Sequence, residues 1–306
     1  MKEITIIIVS YNVEDLLKQC IQSIYQTTKP ELFDIIVVDN NSGDASVAMI
    51  MKTFPNVRLI QSDENLGFSG ANNMALKQVS AEFILFLNPD TIIKNSAIKE
   101  MLMFLKVNQN VGGVGPKIVN PNGSLQKSCK KLPGFIDSLV YISGISRAFQ
   151  KTKKFRAWLL PNFNYQKTQR VKRISGACLM VRKEIFTDNE FFDERYFLYT
   201  EDTDLCMRMK INHWDIYYLS TAQIVHYGGQ SSDHNGSWQE SREMFKSRLK
   251  YRRKYYGVIY NIAFNLSAVI IMALKLAYLW FSSRQQNAKK IEMYLHLISW
   301  YTRNLV

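Results

Sequence analysis

Between residues 1 and 119, uninterrupted apolar runs of strand length alternate with segments of helical pattern. They read "TIIIVS", "VEDLLKQCIQSIYQ", "DIIVVD", a short helical segment, "VRLIQS", "GANNMALKQVS", "FILFLN", "SAIKEMLMFLKV" and "VGGVGPKIV". A strand that is apolar at every position must be buried on both faces, and a parallel sheet covered by helices above and below supplies that burial. The fold class is therefore α/β, with a mostly parallel central sheet. Ligands of such sheets bind beyond the carboxyl ends of the strands. Three polar clusters occupy those ends: Ser10, Tyr11 and Asn12; Asp39, Asn40 and Asn41; and Asn88, Pro89 and Asp90. Asn-Pro-Asp would also serve simply to end a strand, since proline cannot donate to a ladder and Asn and Asp favour turns.

Two common nucleotide readings lack their fingerprints. No G-x-G-x-x-G follows the first strand, and no G-x-x-x-x-G-K-[ST] occurs anywhere. The strand ends offer side-chain amides and carboxylates instead. Asp39 can accept hydrogen bonds from a base or ribose, or it can close a turn within "DNNSGD".

Residues 120–173 form a basic, aromatic, loop-rich connection. Order resumes at "RISGACLMV", followed by a helix near Lys183, the acidic stretch "FFDERYFLYTEDTDLCMRMK", and two strands, "DIYYLS" and "QIVHY". One globular domain over residues 1–232 and a helical region over 233–306 follow from this pattern. The formal charge of +13 is concentrated: residues 138–183 hold no Asp or Glu between Asp137 and Glu184, and "REMFKSRLKYRRKYYG" is a second basic run. Such surfaces attract phosphate in nucleotides, nucleic acid or lipid headgroups. The bases lie in a connection and beside an apolar helix, without a recognition motif, so nucleic acid is not an expected partner. Cys20, Cys129, Cys178 and Cys206 form no C-x-x-C pair, which suggests neither zinc nor a disulfide framework and fits a reducing compartment. "MKEITIIIVSYN" is too short in its apolar run for a secretory signal and reads as a first strand, so the expected location is cytosolic.

Three groups carry candidate chemistry. Asp90 and His226 could ligate a divalent cation, which the departure of a nucleotide diphosphate requires; a lone histidine is also commonly structural. Glu201 and Asp202 could supply a general base, or be the acidic first turn of a helix capped by Thr200. "ENLGFSGANNMAL" combines two glycines with Asn65, Asn72 and Asn73, suiting either close approach of a ligand or a turn and capped helix.

Taken in order, "TIIIVSYNVEDLLKQCIQSI", "IIVVDNNSGDAS", "NLGFSGANNMAL", "ILFLNPDTII", "ISGACLMVRKEIF", "FFDERYFLYTEDTDLCMRM" and "IVHYGGQS" resemble the family 2 glycosyltransferases, especially their rhamnosyltransferase-like branch. The resemblance implies a GT-A fold, a nucleotide-sugar donor, and transfer with inversion. By position, Ser10, Tyr11, Asn12 and Asp39 resemble the nucleoside pocket, while Asn65, Gly67 and Asn72 line the donor. Asn88 to Asp90 stand where the family has D-x-D, so Asp90 resembles the metal-binding carboxylate and His226 the metal-binding histidine of a Mg or Mn site. Asp202 matches the general base, with Glu201 its neighbour. Asn88 in place of the first Asp leaves one carboxylate fewer. A second departure is Asn189-Glu190-Phe191, where relatives carry paired glycines.

Residues 258–280, "VIYNIAFNLSAVIIMALKLAYLW", are long enough to cross a bilayer core of about 30 Å. Basic residues flank both ends and give no orientation. Spanning, lying in the plane of the interface, and packing as a core helix all remain open here. Each suits an enzyme on the cytoplasmic face of the membrane, acting on a glycan acceptor carried by a polyprenyl lipid. The alternative is an inactive transferase fold that binds lipid-linked sugar or a partner enzyme.

Overall fold

A computed structural model describes residues 2–143, 163–186, 192–228, 238–281 and 288–305. The chain divides into two compact units, Met1–Leu132 with Asn164–Ser247, and Pro133–Phe163 with Arg248–Val306.

The first unit begins with strict alternation: β1 (Ile4–Ser10), α1 (Glu14–Thr27), β2 (Phe33–Asp39), α2 (Ser46–Thr53), β3 (Arg58–Gln61), α3 (Gly67–Leu76) and β4 (Phe83–Leu87). Then come β5 (Thr91–Lys94), α4 (Ala97–Val107), β6 (Val111–Val119), β7 (Leu125–Gln126) and β8 (Cys129–Lys130). After the second unit's α5 (Phe135–Ser143) follow β9 (Gln169–Val171), β10 (Arg173–Ile174), β11 (Cys178–Arg182), α6 (Glu201–Ile211) and β12 (Asp215–His226). The main sheet has the order β3-β2-β1-β4-β11-β6-β12-β5, with β7 on β6 and β9 on β12; β10 and β8 make a separate pair.

The sheet is mixed in one respect that the apolar runs did not reveal. β11 is antiparallel to both β4 and β6, and β5 is antiparallel to β12, while the other strands of the path run one way. A fully buried strand reads the same in either direction, so apolarity alone cannot fix its sense. Asn88-Pro89-Asp90 accordingly does end β4, and it also reverses the chain into β5. The two predicted strands "DIYYLS" and "QIVHY" are one strand, β12, with a register shift between Leu219 and Gln223. Where the spacing predicts a helix near Lys183 there is a single 3₁₀ turn, Lys183–Ile185.

Ile6, Ile8, Val37 and Leu85 of the sheet pack with Leu17, Ile21 and Ile24 of α1 and Met101, Leu102 and Leu105 of α4. Each such side chain contributes about 1.5–3 kcal/mol by leaving water. All four cysteines are buried and free.

The second unit contains α5, most of α7 (Trp238–Phe281) and α8 (Ala288–Arg303). Gly257 (φ 80°, ψ 178°) interrupts α7 between the two helices expected from the sequence, a left-handed φ that suits glycine. Phe135 of α5 meets Tyr260 edge to face at 5.1 Å, and Tyr256 donates to Pro133 O at 2.6 Å. The expected 120–173 connection contains β7 to β10 and α5, elements mostly too short to leave a periodic trace; its basic residues 147–156 lie outside the described residues, as do 189–191. The division falls after Ser247, where the sequence suggests 232.

Candidate active site

The carboxyl ends of β1, β2 and β4 lie side by side, since Ser10 pairs with Asp39 and Ile8 with Leu87. Asp39 is buried and its Oδ2 accepts from Ser42 N at 3.0 Å, closing the turn. Its Oδ1 is buried with no hydrogen-bond partner, and so is Ser10 Oγ. A buried carboxylate oxygen left bare is costly unless a ligand supplies a donor. Asn12, at φ 53°, accepts from Gly43 N at 2.7 Å, while its own N–H donates to Ser42 Oγ at 3.0 Å, tying the two loops together. Tyr11 is exposed beside them.

Asn40, which the sequence placed only as a strand-end polar residue, organises the next turn. Its Nδ2 donates to Asn65 Oδ1 at 2.9 Å and its Oδ1 accepts from Leu66 N at 2.9 Å. Asn65 in turn accepts from Gly67 N at 2.9 Å. Gly67 has φ +70°, and a Cβ there would stand 2.2 Å from Phe197 O, so only glycine fits. Asn72 is buried and donates back to Phe68 O at 2.8 Å, whereas Asn73 holds Phe192 through its N and O, at 2.9 Å each.

β5, which no apolar run announced, brings His226 to the Asn-Pro-Asp turn: His226 pairs with Thr91 across the ladder. His226 Nε2 lies 3.3 Å from Asp90 Oδ1 and 3.5 Å from Asn88 Nδ2. Asp90 Oδ2 accepts from Gly228 N at 3.0 Å. The other ring nitrogen, Nδ1, is 2.7 Å from Gln126 Oε1, and Gln126 Nε2 donates to Asn120 Oδ1 at 3.0 Å. With the amide oriented that way, Nδ1 donates to Gln126 Oε1 and Nε2 is the nitrogen on the Asp90 side, where it would face a cation. A hard carboxylate oxygen beside an imidazole nitrogen suits Mg or Mn, so the residues fit a divalent cation. No group of three or more His, Cys, Asp or Glu occurs together among the described residues, and remaining ligands would come from elsewhere.

The acidic pair reaches the same edge through β11. Asn88 N donates to Ala177 O at 2.9 Å, and a Cβ at the adjacent Gly176 would stand 3.3 Å from Asp202 Cβ. Phe68 N donates to Phe197 O at 2.8 Å, which fixes the acidic segment against the Gly67 turn. Tyr199 (φ 67°) and Thr200 (φ 78°) are both left-handed, and the Thr200 side chain makes no cap, contrary to the expected N-cap. Consecutive strained residues of this kind gather at functional sites.

The structure separates the three neighbouring carboxyls. Asp204 is buried and committed to Tyr196 OH (3.2 Å) and Arg208 Nε (3.1 Å). Asp202 receives Arg173 Nη2 at 3.2 and 3.4 Å, and Thr203 Oγ1 at 3.0 Å. Glu201 Oε2 is buried without a partner. Burial, and then the charge of Asp202, push the Glu201 carboxyl well above the usual carboxylate range, with Arg173 acting in the opposite sense. Gln126 and Arg173 were not singled out from the sequence, and no local pattern marks either.

The sequence profile described as glycosyl transferase family 2 matches residues 5–188, and that of glycosyl transferase family group 2 matches residues 138–304. An N-acetylglucosaminyl-diphospho-decaprenol L-rhamnosyltransferase of Mycobacterium tuberculosis is 26% identical over 242 residues, 74% of this chain and 76% of that protein. Rhamnosyltransferase WbbL of Escherichia coli is 28% identical over 231 residues, 72% of this chain and 82% of that protein. Among solved structures, mannosyltransferase PcManGT of Pyrobaculum calidifontis, in complex with GDP-Man and Mn2+, superposes with a TM-score of 0.57 at 16% identity, covering 99% of this chain and 87% of that one. GalNAc-T7 with UDP, GalNAc and Mn2+ gives 0.55 at 11% identity, covering 74% of this chain but 44% of that one. These likenesses identify the fold as GT-A.

Proposed function

Because the chain belongs to glycosyl transferase family 2, we propose that it moves a sugar, with inversion, from a nucleotide diphosphate donor to a hydroxyl of a lipid-linked or surface glycan. The rhamnosyltransferase relatives favour rhamnose from a dTDP donor, and the decaprenol substrate in the mycobacterial relative's name favours a polyprenyl-carried acceptor at the cytoplasmic face of the membrane. The observation that carries the reading is the meeting of Asp90 with His226 at the strand edge that also holds Asp39 and Asp202.

In this reading, Asp39 Oδ1 accepts from the base or ribose, with Ser10, Tyr11 and Asn12 around it. Asn65, Gly67 and Asn72 line the donor, whose close approach the glycine permits. Asp90 and His226 would hold the cation beside Asn88; when bound, it neutralises charge on the leaving diphosphate. Asp202, held in place by Arg173, takes the proton from the acceptor hydroxyl as its oxygen bonds to the anomeric carbon and the bond to the diphosphate breaks. Burial holds the proton on the Glu201 carboxyl to higher pH than on an ordinary carboxylate, which favours Asp202 over it as the base.

Calorimetric titration with dTDP, UDP and GDP, each with and without Mn, tests the donor half. Metal-dependent binding of one nucleotide, lost in Asp90→Asn, is expected. Absence of binding to all three would point to an inactive fold and overturn the proposal.

A further inference from the structure

The second unit buries a polar cluster among Phe264, Met272, Leu297 and Tyr301. Arg252, Asn261 and Asn265 are buried, and they satisfy one another: Arg252 Nη2 donates to Asn265 Oδ1 at 3.0 Å, and both Asn side chains donate to Asn304 O. Outside, the long apolar part of α7 presents Ile259 (85% exposed), Leu266, Ile270 and Leu274. At 100° per residue these share one side of the helix, opposite the packed Asn261, Phe264, Asn265, Ala268 and Met272. The one cation in this stretch, Lys275, points inward, donating to Ile142 O at 2.6 Å and lying 5.3 Å from the Tyr294 ring.

α8 differs. Leu297 and Tyr301 are packed, while Glu292, His296 and Arg303 are exposed and, at i, i+4 and i+11, share a side of their own. Contacts of Asn261 and Asn265 with Asn304, of Phe264 with Tyr301 (6.4 Å), and of Lys275 with Tyr294 show α8 running back along α7.

We propose that α7 beyond Gly257 and α8 form a hairpin lying in the plane of a membrane interface, with the Ile259–Leu274 side in lipid and the Glu292 side in water, without crossing. Were α7 to cross, the α8 paired along it would carry Glu292 and His296 into hydrocarbon, where ionisable groups are strongly disfavoured. Exposed Arg253 and Lys254 at one end and Lys290 at the other, with no exposed charge on α7 between residues 258 and 280, match anionic headgroups at both ends of an apolar strip. No residue of the transfer site takes part in this hairpin; only its assignment to the cytoplasmic face rests on the proposed function.

The test uses the full chain in membranes of expressing cells. Its native cysteines are buried, so a membrane-impermeant maleimide reports on Lys254→Cys and Lys290→Cys, made separately. Both are expected to react from the same side. Separately, Ile270→Asp with Leu274→Asp should lower the fraction bound to phosphatidylglycerol-containing vesicles about tenfold or more, with nucleotide binding unchanged as evidence of folding. Reaction from opposite sides would establish a crossing helix and overturn the proposal. Wild-type protein that stays in solution beside such vesicles would overturn it equally.

Discussion

Asp39 and Arg252 are both buried charged residues, and the two units handle them in opposite ways. In the first unit the strand ends and the acidic helix start leave buried polar atoms bare, among them Asp39 Oδ1, Ser10 Oγ and Glu201 Oε2. In the second, Arg252 is held by Asn261 and Asn265 and lies 4.1 Å over the buried Phe264 ring, while Ile259, Leu266, Ile270 and Leu274 face outward. Bare buried acceptors are an expense that a ligand removes, so they mark a binding site. Satisfied polar groups beneath an exposed apolar helix side fit the interfacial hairpin proposed above. The same class of observation therefore points to a small polar ligand in one unit and to lipid in the other.

Substitution should split the units. Asp39→Asn is expected to weaken nucleotide binding by about 10- to 100-fold, the loss of one or two charge-assisted hydrogen bonds, with little change in melting temperature, because the oxygen it alters has no partner in the protein. Asn265→Leu should do the reverse. It removes one of the two side-chain acceptors of the buried guanidinium, costing about 2–4 kcal/mol and several degrees of melting temperature, and leaves nucleotide affinity alone. Equal destabilisation by both, read by calorimetry, would erase the contrast.

Within the first unit, Gln126→Leu tests the proposed cation site. Removing the partner of His226 Nδ1 frees the imidazole tautomer, and Mn affinity measured by titration should fall about 10- to 100-fold. Unchanged affinity would mean that the Gln126 contact is incidental.

The smallest effect concerns Glu201. Its carboxyl binds a proton more tightly folded than unfolded, so stability is fully present below the ordinary value of 4.5 and falls as pH rises through the higher folded value. Glu201→Gln should flatten that fall, gaining about 1 kcal/mol at pH 8. Denaturant midpoints across the range provide the check; parallel curves for the two proteins would show that Glu201 is ionised as easily folded as unfolded.

Much of the site was legible because the relevant residues interrupt apolar runs. Ser10, Asp39 and Asn88 end strands whose burial demands continuous hydrophobicity, and a polar residue there stands out. Gln126 and Arg173 stand out from nothing: their roles come from pairings with residues 100 and 29 positions away. β5 was missed for a related reason. Four residues after a turn carry little pattern, yet its ladder with β12 is what brings His226 to Asp90. The spacing "TEDTD" left three carboxyls open, and only their partners distinguish them, Tyr196 and Arg208 for Asp204 against Arg173 for Asp202. The apolar run 258–280 left spanning, in-plane insertion and core packing open, and the in-plane arrangement is proposed only because of the helix packed along it.

The most direct test of the central claim is turnover of a dTDP-sugar with a polyprenyl-linked acceptor by the wild-type protein and by Asp202→Asn, with donor binding measured on both. Transfer with inversion by the wild type, a fall of about 10²- to 10⁴-fold in the variant, and preserved donor affinity are expected. Turnover by Asp202→Asn at the wild-type rate would remove Asp202 from the base role and contradict the account.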